Sequence, residues 1–320
     1  MVSCGCPLRV QNVRYMSLLS LIAALLLEQL QPLSSRKSIS GWLAEYAVFF
    51  QQHFNAGARR HGVIAWSLAV LPPVLACLLL YGMLVHVNLL FGWAFSVLVL
   101  YFTMGFRRFS HYFTDIHNAL RDDDLERARV LLSEWHGVPC HELNAQEVAR
   151  VTIEEALLAS HRHVFGVVVW FVILGPAGAV LYRLVQFIRA RWDRPGDPEF
   201  GNFGAFARQA YYWLEWLPLR LTAFTFAIVG DFEDTIYCWR TQADTWPDAE
   251  DGILLSSGAG ALGVRLGQPI PQGGEPFDRP ELGIGDEADV DFMQSTVGLV
   301  WRALVFWLFL LLLLELARLL

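Results

Sequence analysis

Two arginines stand inside apolar stretches of the sequence, where a charged side chain is costly. Arg183 lies near the end of the apolar segment 164–185, and Arg220 lies within the apolar segment 217–230. A guanidinium at membrane depth must pair with a carboxylate or face a wet cavity, so both residues are candidates for binding an anion. The planar group suits phosphate and carboxylate. The alternative is a structural ion pair, for which the sequence offers Glu155, Glu215 and Asp231.

A third candidate for anion binding is a glycine string followed by Arg265. Residues 258–263 satisfy the pattern G-x-G-x-x-G through Gly260 and Gly263. After a strand and before a helix, this pattern surrounds a phosphate with backbone N–H groups. No alternation of strands and helices follows here, and Pro269 interrupts the next segment. The string therefore favours a small-residue helix packed against its neighbours, while a phosphate-binding loop stays open because Arg265 is adjacent.

The other titratable residues give weaker signals. Glu154 and Glu155 are adjacent, and adjacent carboxylates on a helix usually form a solvated face. His161 and His163 are two residues apart, so they point to different sides of a helix and lack the spacing of a zinc site. We interpret them as histidines at a membrane interface. The five cysteines contain no pair of CxxC motifs. We therefore expect no metal site and no disulfide framework.

The elements that position these residues are predicted to be membrane helices. Of 320 residues, 55% are hydrophobic and 17% are charged, so an ordinary soluble globule and a disordered chain are disfavoured. The net charge of −7 provides no basic field, which argues against nucleic-acid binding. The predicted fold class is all-α, a polytopic integral membrane protein with about four or five transmembrane helices.

Five apolar segments are predicted to span the membrane. They are residues 17–30, 63–87, 89–106, 164–185 and 299–316. The fourth carries Gly175-Pro176-Ala177-Gly178 at its centre, which kinks or interrupts a helix. A re-entrant hairpin that turns there would keep the following arginines on the cytoplasmic side, as the positive-inside rule prefers, whereas a full crossing would not. Both topologies stay open.

The remaining segments are predicted to be polar or interfacial. Residues 107–162 form a cytoplasmic helical hairpin, because Asp123 with Glu126 and Asn144 with Glu147 have the spacing of helix caps. Residues 217–230 are short for a span and are predicted as a buried or interfacial helix. The other assignments are a possible leader or mis-assigned start at 1–15, a single membrane domain at 16–320, a Pro/Gly linker at 193–204 and a loop-rich cytoplasmic region at 241–292.

Four short strings stand out on this membrane background. They are residues 124–129 (DLERAR), 175–183 (GPAGAVLYR), 216–223 (WLPLRLTA) and 260–267 (GALGVRLG). In that order they resemble strings of the CobD/CbiB cobalamin-biosynthesis family, which includes an AmpE-like branch. The resemblance covers residues 16–320.

Resemblance to the cobalamin branch implies an ATP-dependent amide-forming ligase, an adenosylcobinamide-phosphate synthase. Such an enzyme activates the carboxylate of adenosylcobyric acid, a corrinoid, and joins it to an aminopropanol phosphate. ATP and Mg²⁺ are the implied cofactors. The resemblance implies a phosphate-binding role for residues that match the family strings, namely Arg183, Arg220, Arg265, Gly260 and Gly263.

One departure from the cobalamin branch leaves a second function open. That branch carries an acidic tract, Glu-Ser-x-x-Glu-Asn followed by Asp, before its Gly-Pro-rich span. Residues 155–160 here read EALLAS, and His163 stands where the Asp falls, so Glu155 alone remains as an implied catalytic carboxylate. The alternative is an AmpE-like signalling or accessory protein without catalysis, which contacts a partner protein through 107–162 and 241–292. Both functions imply a multi-pass protein of the bacterial inner membrane, in contact with lipid.

Overall fold

The computed structural model describes residues 16–30, 36–55, 57–193, 202–272 and 275–317. The predicted leader at 1–15 lies outside the described residues, and so does most of the predicted linker at 193–204. The chain is an all-α membrane protein, as its composition predicts. Short strands occur between residues 264 and 287.

The helices are numbered here in chain order. They are α1 (Met16–Leu30), α2 (Arg36–Phe54), α3 (Arg59–Val87), α4 (Leu89–Thr103), α5 (Phe106–Arg121), α6 (Leu125–His136), α7 (Ala145–Ser160), α8 (Gly166–Leu174), α9 (Pro176–Trp192), α10 (Ala205–Val229), α11 (Phe232–Gln242), α12 (Ala249–Leu262) and α13 (Val290–Ala317). A π-helical turn, His161–Phe165, lies between α7 and α8, and a 3₁₀ turn, Ala243–Thr245, follows α11.

The strands belong to two small sheets. They are β1 (Val264–Gly267), β2 (Ile270–Gln272), β3 (Glu275–Phe277), β4 (Glu281–Leu282) and β5 (Asp286–Glu287). β1 pairs antiparallel with β4 and parallel with β5, and β2 pairs antiparallel with β3.

The chain divides into two compact units, where the sequence predicts a single domain. Unit 1 comprises residues 1–104, 166–217 and 315–320. Unit 2 comprises residues 105–165 and 218–314. Each unit is therefore assembled from segments that are distant in sequence.

Within the described residues, three helices are long and apolar enough to cross a membrane. They are Arg59–Val87, Ala145–Leu174 and Val290–Ala317, and the apolar helices Leu18–Leu30 and Leu89–Thr103 are shorter. In unit 1, α3 continues through Pro72 and Pro73, which is typical of membrane helices whose neighbours satisfy the freed backbone groups. α1 packs on α4, and α9 packs on α3 and α4.

The segment 164–185 folds back on itself. Gly175 has φ +66° and ψ −152°, a conformation that only glycine adopts readily, and it separates α8 from α9. A Cβ atom at Gly166 would lie 2.2 Å from the hydroxyl oxygen of Tyr182. In one straight helix these two residues would be about 24 Å apart. The segment is therefore a pair of helices joined at Gly175, and its topology in the bilayer stays a prediction.

The proline in α10 shows how a membrane helix tolerates a missing donor. The segment 217–230, predicted as a buried or interfacial helix, is the second half of this 25-residue helix, so the helix is confirmed and its predicted length is wrong. Pro218 has no N–H and cannot bond to the carbonyl of Leu214. The indole nitrogen of Trp170 donates to that carbonyl at 3.1 Å instead.

Unit 2 begins with the predicted helical hairpin. Asn144 accepts from the backbone N–H of Glu147, and the Glu147 carboxylate accepts from the N–H of Asn144 at 2.7 Å, so this predicted capping box is confirmed. The cap of α6 is Asp124, which accepts from the N–H of Arg127. The predicted cap at Asp123 is wrong by one residue, because Asp123 has φ +58° and lies in the preceding turn.

The region predicted as loop-rich, 241–292, contains the 14-residue helix α12. Its Gly258 lies against Leu157 of α7, where a Cβ atom would come within 2.6 Å of Leu157 Cδ1. Poor helix formers are tolerated in α12 because close packing, and not intrinsic propensity, stabilises it. The prediction of a loop-rich region is therefore wrong for residues 249–262, whereas the helix that the sequence favours at the glycine string is confirmed.

A buried ion pair attaches the strand segment to α7. Arg279 donates to the two carboxylate oxygens of Glu154 at 2.8 and 3.3 Å, and Glu154 also accepts from the N–H of Gly267 at 2.8 Å. The side chains of Arg279 and Glu154 are 9% and 5% exposed. The prediction of a solvated carboxylate face is therefore wrong for Glu154.

Candidate functional site

The helical turn His161–Phe165 in unit 2 has π-helical geometry. A π turn inserts an extra residue into a helix, and such turns occur often at functional sites because they re-aim the side chains around them. In this turn His161 is buried, whereas Arg162 and His163 are partly exposed. The turn therefore places three ionisable side chains at the end of α7.

His161 is held by a threonine of α10. Its Nδ1 lies 2.9 Å from the hydroxyl oxygen of Thr222, and that hydroxyl donates its single proton to the carbonyl of Pro218 at 2.9 Å. The hydrogen bond to Thr222 therefore fixes the orientation of the imidazole ring. The prediction of a histidine at the membrane interface is wrong for His161, which is 1% exposed.

Arg162 connects the π turn to α12. Its guanidinium donates to the carboxylate of Asp251, in the first turn of α12, and the two side chains are 30% and 23% exposed. Both groups are thus held in place while part of each remains accessible to solvent. An accessible guanidinium beside an accessible carboxylate can bind a phosphate group together with the cation that accompanies it.

The predicted arginines have different surroundings. Arg220 lies on α10, two residues before Thr222, and is partly buried in unit 2. Arg265 lies on β1, where its guanidinium is 3.4 Å from Glu287 and 3.9 Å from Glu281. Arg183 belongs to unit 1 and donates to the side chain of Gln186 at 2.6 Å. A phosphate-binding role for each of them stays a prediction.

The glycine string occupies the last two turns of α12. A Cβ atom at Gly260 would lie 2.6 Å from the carbonyl oxygen of Asp234, so Gly260 permits close contact with α11. Gly263 has φ +65° and caps the C-terminus of α12. A phosphate loop needs the N–H groups at the start of a helix, whereas this end presents carbonyl groups. These positions agree with the packed small-residue helix that the sequence favours, and a phosphate-binding role for Gly260 and Gly263 stays a prediction.

Glu155 is paired with a histidine of α6. Nδ1 of His136 lies 2.7 Å from Oε1 of Glu155, and both side chains are about one quarter exposed, at 27% and 22%. The hydrogen bond to Glu155 raises the pKa of His136 above its ordinary value of 6.5, against the opposing effect of burial. A catalytic role for Glu155 stays a prediction, and its structural role is this ion pair.

We expect the pair of His136 and Glu155 to make stability depend on pH. The folded-state pKa of His136 is raised, so the stabilisation is complete below about pH 6.5 and is lost as the pH rises through the folded-state value. The midpoint of thermal unfolding should therefore rise between about pH 8 and about pH 6, and this rise should shrink in Glu155→Gln. Glu134→Gln, an exposed change on α6 near His136, should retain the rise of the unfolding midpoint. An equal rise in Glu155→Gln would contradict this assignment.

Metal-binding side chains are not clustered in the part of the chain that the structure describes. Within it, no three His, Cys, Asp or Glu side chains are close enough to hold a metal ion together. Such a donor set does not form a protein cage for Mg²⁺. It fits the other common arrangement, in which Mg²⁺ is held by one or two carboxylates together with substrate phosphates and water.

Comparison with known proteins gives the family of the chain. The model of the CobD/Cbib protein family matches residues 21–300. The chain belongs to the CobD/CbiB family. It is 35% identical to the cobalamin biosynthesis protein CobD of Stutzerimonas stutzeri strain A1501, over 92% of this chain and 96% of that protein. No solved structure matches the chain.

Other CobD/CbiB proteins match about two thirds of the chain. The cobalamin biosynthesis protein CobD of Chromobacterium violaceum is 36% identical over 66% of this chain and 67% of its own length. The cobalamin biosynthesis protein CbiB of Salmonella typhimurium strain LT2 is 26% identical over 67% of this chain and 68% of its own length. The comparisons give no support to the AmpE-like alternative.

The π turn lies where parts of the CobD/CbiB chain that are distant in sequence meet. His161 and Arg162 follow directly on residues 155–160, and they contact Thr222 and Asp251. Thr222 belongs to the string that contains Arg220. Sequence reasoning missed Arg162 and Asp251 as a pair because they are 89 residues apart. The available signal was three ionisable residues in succession, His161 to His163, at the start of an apolar segment.

Proposed function

We propose that this CobD/CbiB protein joins the carboxylate of adenosylcobyric acid to an aminopropanol phosphate in an ATP-dependent reaction. The observation that supports the proposal most strongly is the identity to CobD of Stutzerimonas stutzeri over nearly the whole of both chains. The arrangement at the π turn supports it further, because amide formation through ATP needs cationic groups near phosphates. Arg162 and Arg220 provide such groups in unit 2.

Each residue around the π turn has a separate role in the proposed site. Arg162 and Arg220 bind phosphate groups by charge-assisted hydrogen bonds. Asp251 is the carboxylate available to the Mg²⁺ that accompanies a nucleotide, and that ion supplies neutralisation of phosphate charge. Once ATP has phosphorylated the carboxylate, the amine nitrogen bonds to the carbonyl carbon, phosphate leaves, and the nitrogen loses a proton.

The proposed location is the inner membrane of a bacterium, with several spans. The helices α3 and α13 and the segment Ala145–Leu174 are the candidate spans on which this proposal rests. The corrinoid substrate would reach the π turn from the cytoplasmic side, since the arginine-rich segments are predicted to lie there.

Complementation tests the proposal. A cobalamin auxotroph that lacks its own cobinamide-phosphate synthase should grow when it carries the wild-type chain. Arg220→Ala and Arg162→Ala should each abolish or strongly reduce growth, because each removes a phosphate-binding cation. Arg127→Ala, an exposed change on α6, should grow like the wild type. Immunoblots of the membrane fraction establish equal protein levels.

Two results would contradict the proposal at different points. Wild-type protein that is present in the membrane and does not restore growth would reject the synthase activity. Full growth with both Arg220→Ala and Arg162→Ala would reject the site at the π turn while leaving the activity in place.

A further inference from the structure

Unit 1 contains a cleft of about 430 Å³ at the N-terminal end of α3. Arg59 lines it from α3, and Arg208, Gln209, Tyr212 and Trp213 line it from the first turns of α10. This volume falls within the range of small-molecule sites, which is about 300–1,000 Å³. The proposed reaction uses none of these residues.

The cleft exists because α3 and the start of α10 approach closely. A Cβ atom at Gly62 would lie 2.1 Å from the carbonyl oxygen of Phe203, so only glycine allows this contact. One turn further along α3, the ring of Trp66 packs edge-on against Phe206 at 5.3 Å. The two arginines are therefore presented by a rigid pair of elements.

The charge of the cleft is positive. The guanidinium of Arg59 donates to the neutral side chain of Gln209 at 2.5 Å, so this contact positions the cation without neutralising it. Arg208 is oriented by Asp193 at 3.2 Å, and its side chain is still 53% exposed. Arg60, next to Arg59, is exposed as well. The first N–H groups of α3 add partial positive charge at the same end.

The apolar surroundings of the cleft continue into a face suited to lipid. Tyr212 and Trp213 are 49% and 59% exposed, as in the aromatic belts at membrane interfaces. Beyond Trp213, the same side of α10 exposes Trp216 and Leu217, which are 49% and 37% exposed. A ligand with a phosphate in the cleft could therefore lay apolar chains along α10.

We propose that this cleft binds the headgroup of an anionic phospholipid. Arg59 and Arg208 bind the phosphate, Tyr212 and Trp213 contact the glycerol region, and the acyl chains follow the exposed side of α10 that carries Trp213, Trp216 and Leu217. A soluble phosphate ester would use the arginines but not the apolar face that adjoins them. The positive-inside pattern predicts this end of α3 to be cytoplasmic, and the cytoplasmic leaflet is rich in anionic lipid. This proposal does not depend on the proposed synthase activity.

Native mass spectrometry of the full chain in detergent tests the proposal. The probes are short-chain phosphatidylglycerol, phosphatidylcholine with the same chains, and glycerol phosphate. We expect retention of phosphatidylglycerol by the wild-type protein, and a loss of affinity on the order of 30-fold in Arg59→Gln/Arg208→Gln, since each interfacial arginine contributes about fivefold. The matched control Arg127→Gln/Arg240→Gln removes two exposed arginines of unit 2 and should bind like the wild type.

Three results would overturn the proposal. They are equal binding of phosphatidylcholine, displacement of phosphatidylglycerol by equimolar glycerol phosphate, and unchanged binding in Arg59→Gln/Arg208→Gln. If the double variant does not fold, Arg59→Gln alone tests the proposal. Arg59 donates to the neutral side chain of Gln209, so its replacement leaves no charge unpaired. The expected loss is then about fivefold, and unchanged affinity would overturn the proposal.

Discussion

Replacement of Arg279 by alanine should lower the free energy of unfolding by about 3–5 kcal/mol, a large part of the total stability of a domain. Arg279 donates to both oxygens of Glu154 and to the carbonyls of Gly267 and Gln268. Without it, the carboxylate of Glu154 loses its guanidinium partner in a site where the side chain is 5% exposed. The midpoint of thermal unfolding in detergent, followed by tryptophan fluorescence, measures the loss.

Arg265→Ala is the matched control for this prediction. It is the same substitution on the same strand segment, but Arg265 and its partner Glu287 are 35% and 53% exposed. Exposed ion pairs contribute about 0–1 kcal/mol, so the change should be small. An equal loss in the two variants would contradict the buried-charge explanation.

A double variant separates the unpaired charge from lost packing. Glu154→Gln/Arg279→Met removes both charges, and the amide oxygen at position 154 can still accept from the N–H of Gly267. This variant should be more stable than Arg279→Ala, because no buried charge is left without its partner. A double variant that is less stable would show that the ion pair itself, and not the cost of the orphaned carboxylate, dominates.

Replacement of Gly260 by alanine should lower the free energy of unfolding by about 1–3 kcal/mol through overpacking. The new methyl group would lie 2.6 Å from the carbonyl oxygen of Asp234 and 2.7 Å from Cα of Thr235, so two helix backbones must separate. The measurement is again thermal unfolding in detergent.

Gly298→Ala is a control that should change the free energy of unfolding in the opposite direction. Gly298 lies within α13, and a Cβ atom there meets nothing within 4 Å. Alanine in a helix interior is favoured over glycine by about 0.5–1 kcal/mol, so stability should rise. A Gly260→Ala protein of normal stability that failed to support growth would contradict the packing role and favour the phosphate-loop interpretation of the string.

Local signals in the sequence predicted the local parts of the fold. The apolar run of α3, the capping box of Asn144 and the turn at Gly175 depend on neighbouring residues, and all three occur as the residue types indicate. For α12, the sequence favoured a small-residue helix at the glycine string but not the start of the helix at Ala249, and contact with Leu157 and α11 stabilises this glycine-rich helix against its low intrinsic propensity. Helix propensity alone does not predict that contact.

The candidate site was predicted only in part, for a related reason. Arg220 was recognisable because a charge inside an apolar segment is rare. Glu154 was interpreted as solvated because its partner Arg279 is 125 residues away. The pairing of Arg162 with Asp251 depends on the π turn, whose extra residue changes the direction of the side chains and leaves no mark in the helical periodicity.

The interleaved segments of unit 2 have a consequence for synthesis of the protein. Residues 105–165 are translated before unit 1 is finished, whereas their partners lie in 218–314. At about 5–20 residues per second, Arg279 leaves the peptidyl-transferase centre on the order of 6–25 s after Glu154. During that interval α7 carries a carboxylate without its guanidinium and an apolar face without its cover. A nascent chain arrested before residue 279 is therefore a natural substrate for chaperones and membrane proteases.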